Sequence, residues 1–116
     1  MSGGPDGFEK AARADQVLDG QPLGVELAGG RRICLVRDGE EILAVADECA
    51  HQAFPLSAGE VLPGGTIECP WHGARFDCRT GSALRGPAKD PIARYEVSMV
   101  DDMVYVRVAA RPDGSR

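Results

Sequence analysis

Apolar and polar positions alternate most cleanly near the C-terminus. Tyr95, Val97 and Met99 fall on one face of a strand, and Val104, Val106 and Val108 on one face of another, which is the two-residue period of a half-buried strand. Asp101-Asp102 turns the chain between them, so a β-hairpin is predicted here. Upstream, residues 23–27 and 32–37 flank Ala28-Gly29-Gly30-Arg31, and Asp38-Gly39 joins the second run to Glu41–Ala46; both junctions are hairpin signals, so a β-meander is expected. Phe8–Arg13 reads as a short edge strand followed by a polar turn around residues 15–20. Thr66–Glu68 and Arg75–Asp77 read as short strands, with Arg79-Thr80-Gly81 as the turn that leaves them. No window sustains the 3.6-residue period of a substantial helix, and no repeat or low-complexity run is visible. The expected fold class is therefore all-β, an antiparallel sandwich or barrel.

Composition narrows this picture. With 116 residues the chain is expected to be one domain, 1–116, with frayed polar tails at 1–7 and 110–116. Its 15 Gly and 8 Pro favour short strands joined by turns. No segment has the apolar length of a membrane span, and the N-terminus lacks the basic-then-apolar run of a secretory signal, so a cytoplasmic location is expected. In that reducing setting the 4 cysteines are expected as ligands or free thiols. A net charge of -5 argues against nucleic acid and suits a partner with a basic docking face.

The candidate chemistry is concentrated in residues 49–72, CAHQAFPLSAGEVLPGGTIECPWH, which hold both histidines of the chain and two of its cysteines. Cys49 and His51 form one C-x-H pair; Cys69 and His72 form a C-x-x-H pair after residues 52–68. Two thiolates and two imidazoles suit a tetrahedral structural zinc. Zinc fingers, however, typically carry paired histidines on a helix, whereas here each pair is mixed and lies on a loop at a strand end. Such pairs suit a two-iron cluster in which one iron takes both thiolates and the other both imidazoles.

At these residues the chain resembles the Rieske [2Fe-2S] proteins. C-x-H followed by C-P-W-H-G looks like their cluster signature, and the likeness continues through Phe76-Asp77, Thr80-Gly81 and Gly86-Pro87, the last similar to the family's proline loop. It spans roughly residues 8–109, with a small cluster-binding part at about 47–88. The resemblance implies that Cys49 and Cys69 hold an inner iron and His51 and His72 an outer, more exposed one. It also implies that Gly73 lets backbone amides approach the cluster sulfurs, and that Pro87 covers one face of the cluster. Ala53 departs from the pattern, standing where many relatives have glycine.

High-potential members of the family carry a disulfide between the ligand loops and hydroxyl donors from a serine and a tyrosine. In this chain Trp71, Ala74 and Phe76 stand at three of those places, and no cysteine follows His51 in the first loop. The expected potential is therefore at the low end of the Rieske range, roughly -150 mV. Cys34 and Cys78 are expected to be inert thiols. Trp71, Phe54 and Leu56 are each open to two readings, an apolar rim for partner contact or simple loop packing.

A Rieske oxygenase would need a mononuclear iron with two further histidines. Both histidines are already assigned, so no independent enzyme is expected, and there is no separate catalytic residue to name. The resemblance implies a one-electron ferredoxin that passes electrons from a flavin-dependent reductase to a terminal non-haem iron oxygenase, a monomer that docks transiently. The alternatives are a non-catalytic small subunit of a nitrite-reductase-like complex, or a carrier for another redox pathway.

Overall fold

The computed structural model describes residues 7–27, 30–47, 55–69, 73–85 and 92–107. Ten strands are present among them: β1 Phe8–Arg13, β2 Leu23–Glu26, β3 Arg32–Asp38, β4 Glu41–Ala46, β5 Glu60–Leu62, β6 Thr66–Glu68, β7 Arg75–Asp77, β8 Ala83–Arg85, β9 Arg94–Val100 and β10 Met103–Arg107. Six form one antiparallel sheet in the order β1-β10-β9-β4-β3-β2, and four form a second in the order β5-β6-β7-β8. The larger sheet curls into a nearly closed barrel. The guanidinium of Arg37 helps to close it, donating to the carbonyls of Val17 (2.5 Å) and Ala14 (2.7 Å). The expected all-β architecture with a small second part is what the chain adopts.

The run Ile33-Cys34-Leu35-Val36 is apolar without interruption because β3 is covered on both faces. Ile33 and Leu35, with Ile42 and Ala44 of β4 and Val104 and Val106 of β10, fill the barrel. Cys34, Val36 and Val45 point the other way, into a second cluster with Leu56, Ile67, Cys69, Ala74, Phe76 and Cys78. The central β3–β4 hairpin is thus the wall shared by the barrel and the small sheet.

The C-terminal hairpin forms as predicted, β9 pairing with β10 around Asp101 (φ 52) and Asp102 (φ 66). Two successive positive φ values make this the primed turn whose twist matches the strands. Met99, expected to share a face with Tyr95 and Val97, is 45% exposed next to the hairpin turn, although its ladder partner Val104 is fully buried. The position of Val108 lies outside the described residues, as do the tails 1–6 and 110–116. The meander is also present: β2 pairs with β3 and β3 with β4. The polar segment after β1 forms a 3-10 turn, Ala14–Gln16, and a bridge between Leu18 and Gln21. Strands β5 and β8 were not anticipated.

Candidate metal centre

Of the four residues read as ligands, Cys69 lies among the described residues, whereas Cys49, His51 and His72 lie outside them. The described residues nevertheless define where both ligand loops begin and end. Cys69 directly follows β6, and its backbone N–H donates to the carbonyl of Ala74 at 2.7 Å, drawing the segment 69–74 into a closed loop. Gly73 holds φ +70 within that loop, where an L side chain would be strained. Its neighbour is the Glu68 carboxylate, 3.2 Å from the place a Cβ would occupy.

The first loop leaves the end of β4 and returns at Pro55 into the 3-10 turn Leu56–Ala58. There the backbone amide and hydroxyl of Ser57 both donate to the carboxylate of Asp47, at 2.7 and 2.8 Å. Gly59 then passes so close to the second loop's strand that a Cβ on it would sit 2.0 Å from the Glu68 carbonyl oxygen. A glycine is therefore required for the exit of the first loop to dock beside the entry of the second. Strand β5 continues the contact, Glu60 facing Glu68 across the ladder. Among the described residues, backbone packing thus brings the exit of the first loop against the entry of the second.

The segment 86–91, with the expected Pro87, lies outside the described residues, but both of its ends are tied down. Arg85 pairs with Arg75 in the β7–β8 ladder. Beyond the segment, the Ile92 amide donates to the Gly81 carbonyl at 2.8 Å, and Gly81 itself donates to Asp77 at 2.6 Å. The root of this segment thus sits on the turn that leaves β7.

Cys69 is fully buried and belongs to the apolar cluster between the sheets. A sulfur donor in that position fits a metal that supplies positive charge of its own, because coordination deprotonates a thiol where apolar burial alone would keep it protonated. Cys34 and Cys78 show the effect of burial alone. It pushes the Cys34 thiol well above its ordinary value, with the Asp47 charge adding to the rise. It pushes Cys78 up to about 12, with Asp77 contributing. Both are buried and form no disulfide, as expected of inert thiols. No group of three or more metal-binding side chains occurs among the described residues, three of the expected four ligands being outside them.

Ala74 and Phe76 are both fully buried beside Cys69, and neither carries a hydroxyl. Leu56 is also fully buried, which favours loop packing over a partner-facing rim; Phe54 and Trp71 lie outside the described residues, as does Ala53. Sequence reading missed Asp47, Ser57 and Gly59, and named Gly81 only as a turn and motif residue without its contact to Ile92. The available signal was that a Gly or an Asp/Ser pair flanks each loop, but the partners are remote in sequence.

Comparison with known proteins gives a consistent result. A family model described as the Rieske [2Fe-2S] domain matches residues 8–96. The ferredoxin component of the p-cumate 2,3-dioxygenase system of Pseudomonas putida is 35% identical over 98 residues, covering 84% of this chain and 83% of that protein. Apoptosis-inducing factor 3 of Homo sapiens is 38% identical over 91 residues, which are 78% of this chain and 15% of that much longer protein. Among solved structures, the chain from a complex of reduced oxygenase and oxidized ferredoxin in carbazole 1,9a-dioxygenase superposes with a TM-score of 0.82 at 30% identity. That match covers 92% of this chain and 98% of that one.

Proposed function

We propose, from the premise that the chain belongs to the Rieske [2Fe-2S] domain family, that it passes electrons from a flavin-dependent reductase to a terminal non-haem iron oxygenase. It is a ferredoxin-type electron carrier with one [2Fe-2S] cluster, not a catalytic component. The observation that supports the oxygenase as partner is the match along 98% of a chain from a complex of oxygenase and ferredoxin. The cluster, when bound, takes up and gives up one electron.

In this reading Cys49 and Cys69 hold the inner iron, and His51 and His72 the outer one. Burial of Cys69 supports the first half of that assignment. The loop closed between Cys69 and Ala74 would carry His72 to the tip of the small sheet. Replacing two thiolates by neutral imidazoles lowers the negative charge on the cluster and raises its potential relative to four-cysteine clusters. Reductase and oxygenase would both meet the histidine tip, so the chain must release one before binding the other. We take residues 1–116 as a single Rieske domain whose cluster-binding part is about 47–88, acting as a monomer in the cytoplasm. No helix among the described residues is long and apolar enough to cross a membrane.

The test is single-turnover electron delivery. The chain, reduced by a flavin-dependent reductase, is mixed with a terminal oxygenase, and oxidation of the chain is followed optically. Wild-type protein should be reoxidised on mixing and His72→Ala should not accept the electron at all. A His72→Ala protein that delivers electrons as wild type does would refute the assignment.

A further inference from the structure

Asp47 is the one buried charged residue among those described; its side chain is 0% exposed. A buried carboxylate is costly unless several donors meet it. This one accepts from the Ser57 amide at 2.7 Å, the Ser57 hydroxyl at 2.8 Å and the half-exposed guanidinium of Arg32 at 3.3 Å. Asp47 immediately follows β4, and Ser57 lies in the 3-10 turn Leu56–Ala58. The contact therefore spans residues 47–57 and closes the neck of the loop that carries Cys49 and His51. The opposite wall is cut to fit. Gly24 of β2 faces the pair, and a Cβ there would sit 2.6 Å from the Ser57 hydroxyl and 2.8 Å from Asp47 Oδ2.

A loop neck can be closed by neutral groups, so a buried charge here needs a further reason. Asp47 is two residues from Cys49, and two residues span at most about 7 Å of chain. In a low-dielectric interior, a negative charge near a centre bound at Cys49 disfavours adding an electron to it, and the half-exposed, solvent-screened Arg32 guanidinium offsets only part of that effect. We propose that Asp47 and Ser57 form a positioning latch that fixes the first ligand loop around the cluster, and that the Asp47 charge biases the cluster toward its oxidised state. The inference rests on the ligand assignment proposed above, and Asp47 acts through the loop without being a ligand.

The experiment compares purified holoprotein of the wild type with D47N, S57A and G24A. Two quantities are read: the rate at which an iron chelator bleaches the cluster, and the midpoint potential. S57A removes one donor and G24A pushes on the pair from β2; both should lose the cluster about tenfold faster, the lower end of the effect typical of outer-shell partners. D47N keeps the shape and removes the charge, so it should lose the cluster faster and shift the midpoint to more positive values. S57A should keep the wild-type midpoint, which separates the charge effect from loosening of the loop. Loss rates within twofold of wild type in S57A and G24A would overturn the latch, and a D47N midpoint that is unchanged or more negative would overturn the charge effect. Should D47N not fold, S57A and G24A decide the latch, and R32M, which removes the cation facing Asp47, decides the charge effect: a more negative midpoint supports it and an unchanged one overturns it. A wild-type protein without a cluster overturns the ligand assignment and the latch together, whereas a loaded wild type beside variants of unchanged loss rate overturns the latch alone.

Discussion

Replacing Gly81 by alanine perturbs the root of the segment expected to cover the cluster, and its cost can be worked from the geometry. Gly81 holds φ +83, and an L residue in that region costs about 1–2 kcal/mol. A Cβ there would also sit 2.2 Å from the carbonyl oxygen of Ile92. Because that atom is backbone, it can yield only by moving the chain, and such overpacking costs about 1–3 kcal/mol. Alanine restricts the unfolded chain and returns about 0.4–1 kcal/mol. The expected net loss is about 3 kcal/mol, or a melting midpoint lower by roughly 10 °C for a domain of this size. Gly39→Ala is the control: Gly39 also has positive φ (+67), but nothing lies within 4 Å of its Cβ position, so only the conformational cost applies. Thermal unfolding of the holoproteins by circular dichroism at one scan rate provides the comparison. If Gly81→Ala melts no lower than Gly39→Ala, the close approach to Ile92 does not carry the weight assigned to it.

Gly59→Ala should separate the two ligand loops, since its Cβ would meet the Glu68 carbonyl at 2.0 Å; less iron and sulfide per chain than wild type is expected on purification, and wild-type loading would contradict the packing argument. Cys34 and Cys78 should resist thiol reagents at pH 8 in the native protein and react only on unfolding, because burial raises both thiols above their ordinary value of 9.0. The same shifts make a pH prediction. The unfolded thiols ionise near pH 9 and the folded ones well above it, so stability is intact below pH 9. It should fall by about 1.4 kcal/mol per pH unit for each thiol as pH rises toward about 12, where Cys78 ionises in the folded state; denaturant titrations at pH 8 and 10.5 that give equal stability would refute this. The midpoint potential should be near -150 mV, the low end for such clusters, given the hydroxyl-free Ala74 and Phe76; a midpoint above zero would contradict it.

What the sequence disclosed depended on the range of the interaction. The meander and the C-terminal hairpin are written in local alternation and turn residues, and they form where that pattern puts them. Strands β5 and β8 have three residues each, too few for a period to show, and they exist because β6 and β7 offer them edges. The Ile33-Cys34-Leu35-Val36 run was recognisable as a strand, but its second covered face was not, because the covering sheet comes from residues 60–85. At the site, C-x-H and C-P-W-H supplied the candidate ligands, of which Cys69 alone lies among the described residues. The latch of Asp47 on Ser57 and the close approaches of Gly59 and Gly81 were not legible, since each joins residues whose proximity is a product of folding.

The most direct test of the central claim is metal and sulfide analysis of freshly purified protein, combined with electron paramagnetic resonance before and after dithionite. The account predicts two irons and two labile sulfides per chain, a red-brown colour, and a paramagnetic signal that appears only on reduction. Colourless protein with one zinc per chain and no labile sulfide would contradict it.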